Sequence, residues 1–382
     1  MAVGLLGPDG SDLAGTRVLL LDRPEQDFVF EDVPAPPVPS LLRGFSAPVH
    51  LDYPYAQAEL LHLLAFDSDA YNRWEAGQRL AETLLHAGIA AGGTTAGWIP
   101  AAYAEALARL LEIAARGGVD PAVVAEILEL PSESVLAEGL DVPDPESIHR
   151  ARERLRRHLA ATLKDLLQLT RRAMAPTGPY RPDPADAGRR ALANACLDLL
   201  VTLDEPAHLD LALDQYERAD NMTDRLAALN ALANRPGPLG DALLERFYAA
   251  WREESLVVDK WLAIHALRRP DGTTARVRAL LEHPAFDLRV PNRVYALVRN
   301  FAAANPRHFH AADGEGYRLV AEVIARLDPL NPLVAARIAR AFDRWRHYDA
   351  GRQTHARAAL EGLAIQPDLS ANTREVVEKA LA

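Results

Sequence analysis

From about Tyr55 onward, over roughly 325 residues, apolar positions recur with a helical period and are interrupted at short intervals by proline, glycine and asparagine. No other feature limits the fold as strongly, because a helix-period pattern cannot bury one face of a sheet. Tyr103, Ala106, Leu107, Leu110, Leu111 and Ala114 fall at i, i+3, i+4, i+7, i+8 and i+11, which predicts one stripe on one helix, and Gly117-Gly118 ends it. Asp120 then offers a carboxylate to the free first-turn amides, Pro121 has no amide to leave unpaired, and Pro131 closes the segment. The same start recurs at Asp144-Pro145. Beyond it Leu155, Leu159, Leu163 and Leu166 predict a longer helix, and Arg152, Arg154, Arg156 and Arg157 are expected on its solvated side. Further breaks at Arg235-Pro236-Gly237-Pro238, Arg269-Pro270-Asp271-Gly272 and Asn305-Pro306 complete a series of helical hairpins. The fold expected is mainly α: an irregular α-α superhelix of stacked hairpins, each burying its apolar face on its neighbours, with no regular repeat signature.

The first 54 residues differ. β-favouring runs at 18–21 and 28–30 are separated by turn residues, Asp9-Gly10 predicts a turn, and the proline-rich stretch 34–39 suggests an extended connector. Three or four short strands cannot close two faces, so residues 1–54 are expected to be the last part of a small β-sandwich and 55–382 the helical domain. The chain is expected to begin inside a domain.

Composition removes several functions. Lys and Arg number 42 against 53 Asp and Glu, a net charge of -11, which does not attract nucleic acid or an anionic membrane. No apolar run reaches the roughly 18 residues of a membrane span, and Met1 to Gly10 lacks the basic region of a secretory signal. The single cysteine, Cys196 in Ala195-Cys196-Leu197, excludes an internal disulfide or thiolate cluster, reads as an inert core residue, and suits a reducing cytoplasm. The zinc-peptidase motif His-Glu-x-x-His is absent and no two of the twelve histidines are four apart. His308, His310 and Asp313 form the one cluster with metal-ligand spacing, and the expected role of these histidines is bonding to loop backbone. Residues 119–135 imitate a helix-turn-helix but contain no Arg or Lys to reach bases.

The run Ala219-Asp220-Asn221-Met222-Thr223-Asp224-Arg225-Leu226-Ala227-Ala228-Leu229 resembles a signature in the last domain of bacterial aminopeptidase N, the gluzincin alanyl aminopeptidases. In the same order follow Val257-Val258-Asp259-Lys260-Trp261, Pro291-Asn292-Arg293, Asn305-Pro306, Asp313-Gly314-Glu315-Gly316-Tyr317, Asn331-Pro332-Leu333-Val334-Ala335-Ala336-Arg337 and Tyr348-Asp349-Ala350. Upstream, Pro39-Ser40-Leu41-Leu42-Arg43-Gly44-Phe45 and Asn194-Ala195-Cys196-Leu197 match as well. The resemblance implies the carboxyl-terminal, non-catalytic part of an enzyme that removes amino-terminal residues from peptides. Zinc and the catalytic residues would belong to the full-length enzyme, with no metal or catalytic residue here. The partners implied are the catalytic domain of the same polypeptide and peptide substrates, and the setting is cytoplasmic. The helical domain would cap the catalytic domain and shape its substrate chamber, where Arg337, Arg293 and Tyr295 are the candidate contacts. Tyr295 stands where some relatives carry a second arginine, and Leu333 where some carry glutamine. A free-standing helical scaffold that binds protein partners is the alternative, and a metal hydrolase built on His308, His310 and Asp313 is a third reading.

The helical reading is checked by far-ultraviolet circular dichroism of the chain, which should be dominated by helix and melt cooperatively. A strand-dominated spectrum would refute it.

Overall fold

The computed structural model describes residues 1–92, 97–176 and 178–382. Strands β1 (Ala2–Leu6), β2 (Asp12–Val18) and β3 (Val38–Leu41) form an antiparallel sheet in the order β2-β1-β3. β1 pairs Ala2 with Val18 and Leu6 with Asp12 on one side, and Leu6 with Val38 and Val3 with Leu41 on the other. The turn between β1 and β2 holds the expected Asp9-Gly10, with Gly10 at φ 82° and its amide donating to Gly7 O at 2.9 Å.

The strand positions differ from expectation. Of residues 18–21 only Val18 is in a strand; Leu19, buried, still exchanges backbone hydrogen bonds with Met1 (2.7 and 2.8 Å), and Leu20 and Leu21 beyond it are exposed. Residues 28–30 form no strand. β3 takes in Pro39, which an outer position in this sheet tolerates since proline has no ladder hydrogen to give. β1 is buried at all five residues, and a strand covered on both faces shows no alternation by which to be noticed.

Arg43 joins this sheet to the helices. Its buried guanidinium donates from Nε to Ser40 Oγ (2.8 Å), from Nη1 to Thr16 Oγ1 (3.0 Å), and from Nη2 to Asp12 Oδ1 (2.5 Å) and Asp67 Oδ1 (3.3 Å). Asp67 follows helix Gln57–Phe66 and is fully buried; burial raises its carboxyl pKa against the pull of Arg43. Asn72 of helix Ala70–Ala90 donates to the same Ser40 hydroxyl at 2.7 Å. Gly4 makes room for the guanidinium: a Cβ there would lie 2.1 Å from Arg43 Cζ.

The helical reading holds where the periodicity was strongest. Helix Ala101–Ala115 buries Tyr103, Ala106, Leu107, Leu110, Leu111 and Ala114, and helix Pro121–Leu128 starts with Asp120 accepting from the Ala122 amide at 2.9 Å. The longer helix is broken: Leu163 leaves helical geometry (φ -101°, ψ 11°), dividing Pro145–Thr162 from Lys164–Ala173. Arg154 and Arg157 are exposed as expected, but Arg156 is buried, because Asp198 of helix Pro184–Val201 meets it at 2.8 Å and Glu153 at 3.3 Å.

The chain forms two compact units: residues 1–131, 153–208 and 218–224, and residues 132–152, 209–217 and 225–382. Within the second, arginines tie the 132–152 segment to helices far along the chain. Arg344 Nη1 meets Glu138 Oε1 (2.5 Å), Arg307 Nε meets Glu146 Oε1 (2.9 Å) and Arg352 Nη2 meets Asp144 Oδ1 (3.2 Å). Arg352 also donates to His310 O at 2.6 Å. Its core is aromatic, with Trp261, Trp345, Tyr317, Phe309 and Phe342 fully buried. Among the described residues no helix is long and apolar enough to cross a membrane.

Arg43→Ala strands the Asp67 carboxylate in the interior and should cost about 3–5 kcal/mol in equilibrium urea unfolding. Asp12→Asn, whose carboxylate is partly exposed, should cost about 1 kcal/mol or less. Equal losses would show that burial of this network does not govern its contribution.

Candidate functional site

The three chamber candidates all lie in the second unit, where Arg337 meets Tyr295 and Arg293 is bonded to other residues. Helix Pro291–Val294 begins on a proline and carries Arg293; it passes directly into a π-helical turn, Tyr295–Arg299, and then helix Asn300–Ala304. Val294, Ala296, Leu297, Val298 and Phe301 are all buried. The π turn packs against helix Ser255–Ala266 and buries Ala296, Leu297 and Val298 in succession. Such turns are frequent at functional sites. Here it carries Tyr295 on its first residue.

Arg293 and Arg337 have different work. Arg293 is largely buried, its Nη1 donating to Asp259 Oδ1 (2.5 Å) and Ser255 O (2.8 Å), so it anchors its helix to the start of Ser255–Ala266. Arg337 is exposed on helix Pro332–Ala339, which Asn331 caps by accepting from the Val334 amide at 3.2 Å. Its Nη1 donates to Tyr295 OH at 2.9 Å, and its guanidinium lies 5.7 Å from the centre of the Tyr295 ring. Among the described residues no carboxylate is within ion-pair distance of Arg337. Leu333, one turn earlier on the same face, is 72% exposed. The cluster is thus a guanidinium held in place by a phenol, with donors left for an incoming carbonyl or carboxylate. Asp259 and Ser255 were not singled out from the sequence; Asp259 lay within a matched run, but only the fold sets it opposite Arg293.

His308, His310 and Asp313 do not converge. His308 Nε2 is bonded to Arg269 O at 3.1 Å, His310 Nδ1 to Tyr317 OH at 2.8 Å, and the Asp313 carboxylate accepts from the Glu315 amide at 2.9 Å. His310 is stacked on Tyr348 with ring centres 3.9 Å apart. The loop is tight: a Cβ on Gly316 would meet Phe309 O at 2.3 Å. These residues do not fit a zinc ion, and among the described residues no group of three or more His, Cys, Asp or Glu side chains could hold a metal. Cys196 is buried, and burial pushes its thiol up to about 12, out of the range of a nucleophile.

Residues 57–382 match a domain of unknown function described as ARM repeats (DUF3458_C), and residues 1–54 match one described as having an Ig-like fold (DUF3458). Aminopeptidase N of Caulobacter vibrioides is 39% identical over 380 residues, 100% of this chain and 44% of that protein. Aminopeptidase N of Escherichia coli is 38% identical over 368 residues, 96% of this chain and 42% of that one. The crystal structure of Legionella pneumophila aminopeptidase A in complex with aspartic acid superposes with a TM-score of 0.88 at 32% identity, over 100% of this chain and 45% of that chain. The chain therefore spans less than half the length of the relatives it matches.

Two histidines of the second unit are kept neutral. Burial, reinforced by Arg352 beside His310 and by Arg268 and Arg276 beside His265, lowers both to about 3. Among the described residues neither ring nitrogen of His265 has a hydrogen-bond partner. A neutral buried histidine lets the unfolded state take up protons first, so stability is intact above the ordinary histidine pKa of about 6.5 and falls below it by about 1.4 kcal/mol per pH unit per group. Urea unfolding at about pH 7 and pH 5 should therefore show a stability loss that shrinks by about 2 kcal/mol in His265→Phe. An unchanged loss would mean that His265 is not held neutral.

Proposed function

The chain belongs to the aminopeptidase N family, where it matches the carboxyl-terminal, non-catalytic ARM-repeat region, and from this we propose that it forms the wall of a substrate chamber in a peptide-trimming zinc enzyme. In this reading zinc and the bond-breaking residues are supplied by the catalytic domain of the same polypeptide, and this chain alone hydrolyses no peptide. The substrates are peptides entering from the side of the helical region. The division into a β-segment, 1–54, and a helical domain, 55–382, is part of the proposal, and the break between the two family matches supports it. Exposed Val18, Leu20, Leu21 and Val29 beside a sheet of only three strands support a β-segment that packs on more protein. A lone buried thiol suits a cytoplasmic setting.

One observation supports the chamber role: Arg337 is exposed and oriented by Tyr295, with no carboxylate among the described residues bound to it. Arg293, which joins two helices, is by contrast paired with Asp259. Arg337 instead presents a charged fork that an extended peptide can bond beyond its scissile link, while an aminoacyl anilide is too short to use it.

In the full-length enzyme, Arg337→Ala should lower kcat/KM for tri- and tetrapeptides by about tenfold to a hundredfold and leave an alanine anilide nearly unchanged. Equal losses on both substrates together with a lower melting temperature would remove Arg337 from the substrate site.

A further inference from the structure

Three aspartates of this chain precede glycine, in Asp9-Gly10, Asp271-Gly272 and Asp313-Gly314. Glycine puts no Cβ in the way, so its nitrogen can approach Cγ of the aspartate before it. The three glycines share a positive φ, 82°, 85° and 70°, and backbone conformation does not separate them. Hydrogen bonding does. The Gly10 amide donates to Gly7 O at 2.9 Å and the Gly314 amide to Ala311 O at 3.0 Å, whereas the Gly272 amide has no partner among the described residues.

Space and side-chain contacts point the same way. A Cβ on Gly10 would lie 2.4 Å from Phe66 and one on Gly314 2.5 Å from His355, while nothing is within 4 Å of the same point on Gly272. The Asp9 and Asp313 carboxylates are held in their own turns, accepting from the amides of Ser11 (3.0 Å) and Glu315 (2.9 Å). Asp271 instead reaches across to Arg307 Nη2 at 2.8 Å, and 92% of its side chain is exposed. Water and a second protein can therefore reach this pair.

We propose that Asp271 is a modification site, where the backbone converts to isoaspartate and becomes a substrate for a carboxyl methyltransferase that uses S-adenosylmethionine. The Gly272 nitrogen bonds to Cγ of the Asp271 carboxyl in its acid form. Its hydrogen and the carboxyl hydroxyl leave together as water, closing a five-membered succinimide. A second water then opens the ring. Addition at Cγ restores aspartate; addition at the former peptide carbonyl breaks its bond to nitrogen, and the chain then runs through Cβ and Cγ with one extra atom. The α-carboxylate so freed accepts the methyl group, and the ester closes the ring again with loss of methanol. The extra atom falls between Pro270 and Thr273, which are joined by a hydroxyl bond of 2.9 Å at the start of helix Thr273–Leu280. The site is independent of the chamber and of the proposed enzymatic role.

The test incubates the folded chain for weeks at neutral pH and maps isoaspartate by electron-transfer fragmentation, which cleaves it between Cα and Cβ. Isoaspartate should accumulate at 271 and trail at 9 and 313 by about threefold to tenfold, since one amide hydrogen bond must first open at each of those. In urea, where all three amides are free, the rates should converge. Labelled methyl transfer from S-adenosylmethionine by a purified isoaspartyl methyltransferase should be mostly lost in Asp271→Glu, whose six-membered ring closes far more slowly. Asp313→Glu should retain it. Circular dichroism establishes that both variants are folded. Equal accumulation at the three positions of the folded chain would overturn the proposal, as would isoaspartate that forms at 271 only in urea.

Discussion

A guanidinium removed from water must find carboxylates or carbonyls in place of its hydration, and that requirement decides where this chain meets itself. In the first unit Arg43 lies across β1 at Gly4 and gathers Asp12, Thr16, Ser40 and Asp67, so that sheet and helices share one polar centre. In the second, Arg352 takes the carbonyl of His310 and the carboxylates of Asp144 and Asp349. Helical hairpins stacked on hydrophobic contacts alone would hold only neighbour to neighbour. These arginines join segments that stacking would leave apart.

The residues that carry the family resemblance are largely those that end helices and close turns. Asn221 and Asp224 bond reciprocally at the start of helix Met222–Ala233, and Asn194 donates to Asp224 at 2.9 Å. Asn305 donates to the carbonyls of Ala266 and Arg268, closing the end of helix Ser255–Ala266. Asp349 accepts from the amides of Gly351 and Arg352. Backbone groups at helix ends have no partner within the helix, and few side chains can reach them. A shared architecture therefore leaves its clearest trace at such positions, whatever chemistry the rest of a polypeptide performs.

How much could be read in advance follows the range of the forces involved. The stripe from Tyr103 to Ala114 and the Asp120-Pro121 start are local and were legible. β1 was not, since a strand buried on both faces looks like any apolar run. Arg156 was placed in solvent because its position on the helix was visible and Asp198, 42 residues away, was not. The candidate site divides in the same manner. Arg337, Arg293 and Tyr295 were reached through resemblance, and nothing local could have distinguished an arginine bound to Asp259 from one resting on a tyrosine.

The pairing of Asp144 with Arg352 spans 208 positions, and that of Glu138 with Arg344 spans 206. A ribosome adds about 5–20 residues per second, so Asp144 is made roughly 10–40 s before the arginine that completes its surroundings exists. For about the first three quarters of that interval the segment 132–152 has none of these arginine partners, since even Arg307, which pairs with Glu146, lies 161 positions beyond it. The order of synthesis and the order of assembly are therefore opposed in the second unit: it closes only when nearly the last helices have emerged, and a chain released early would leave its oldest segment the least finished.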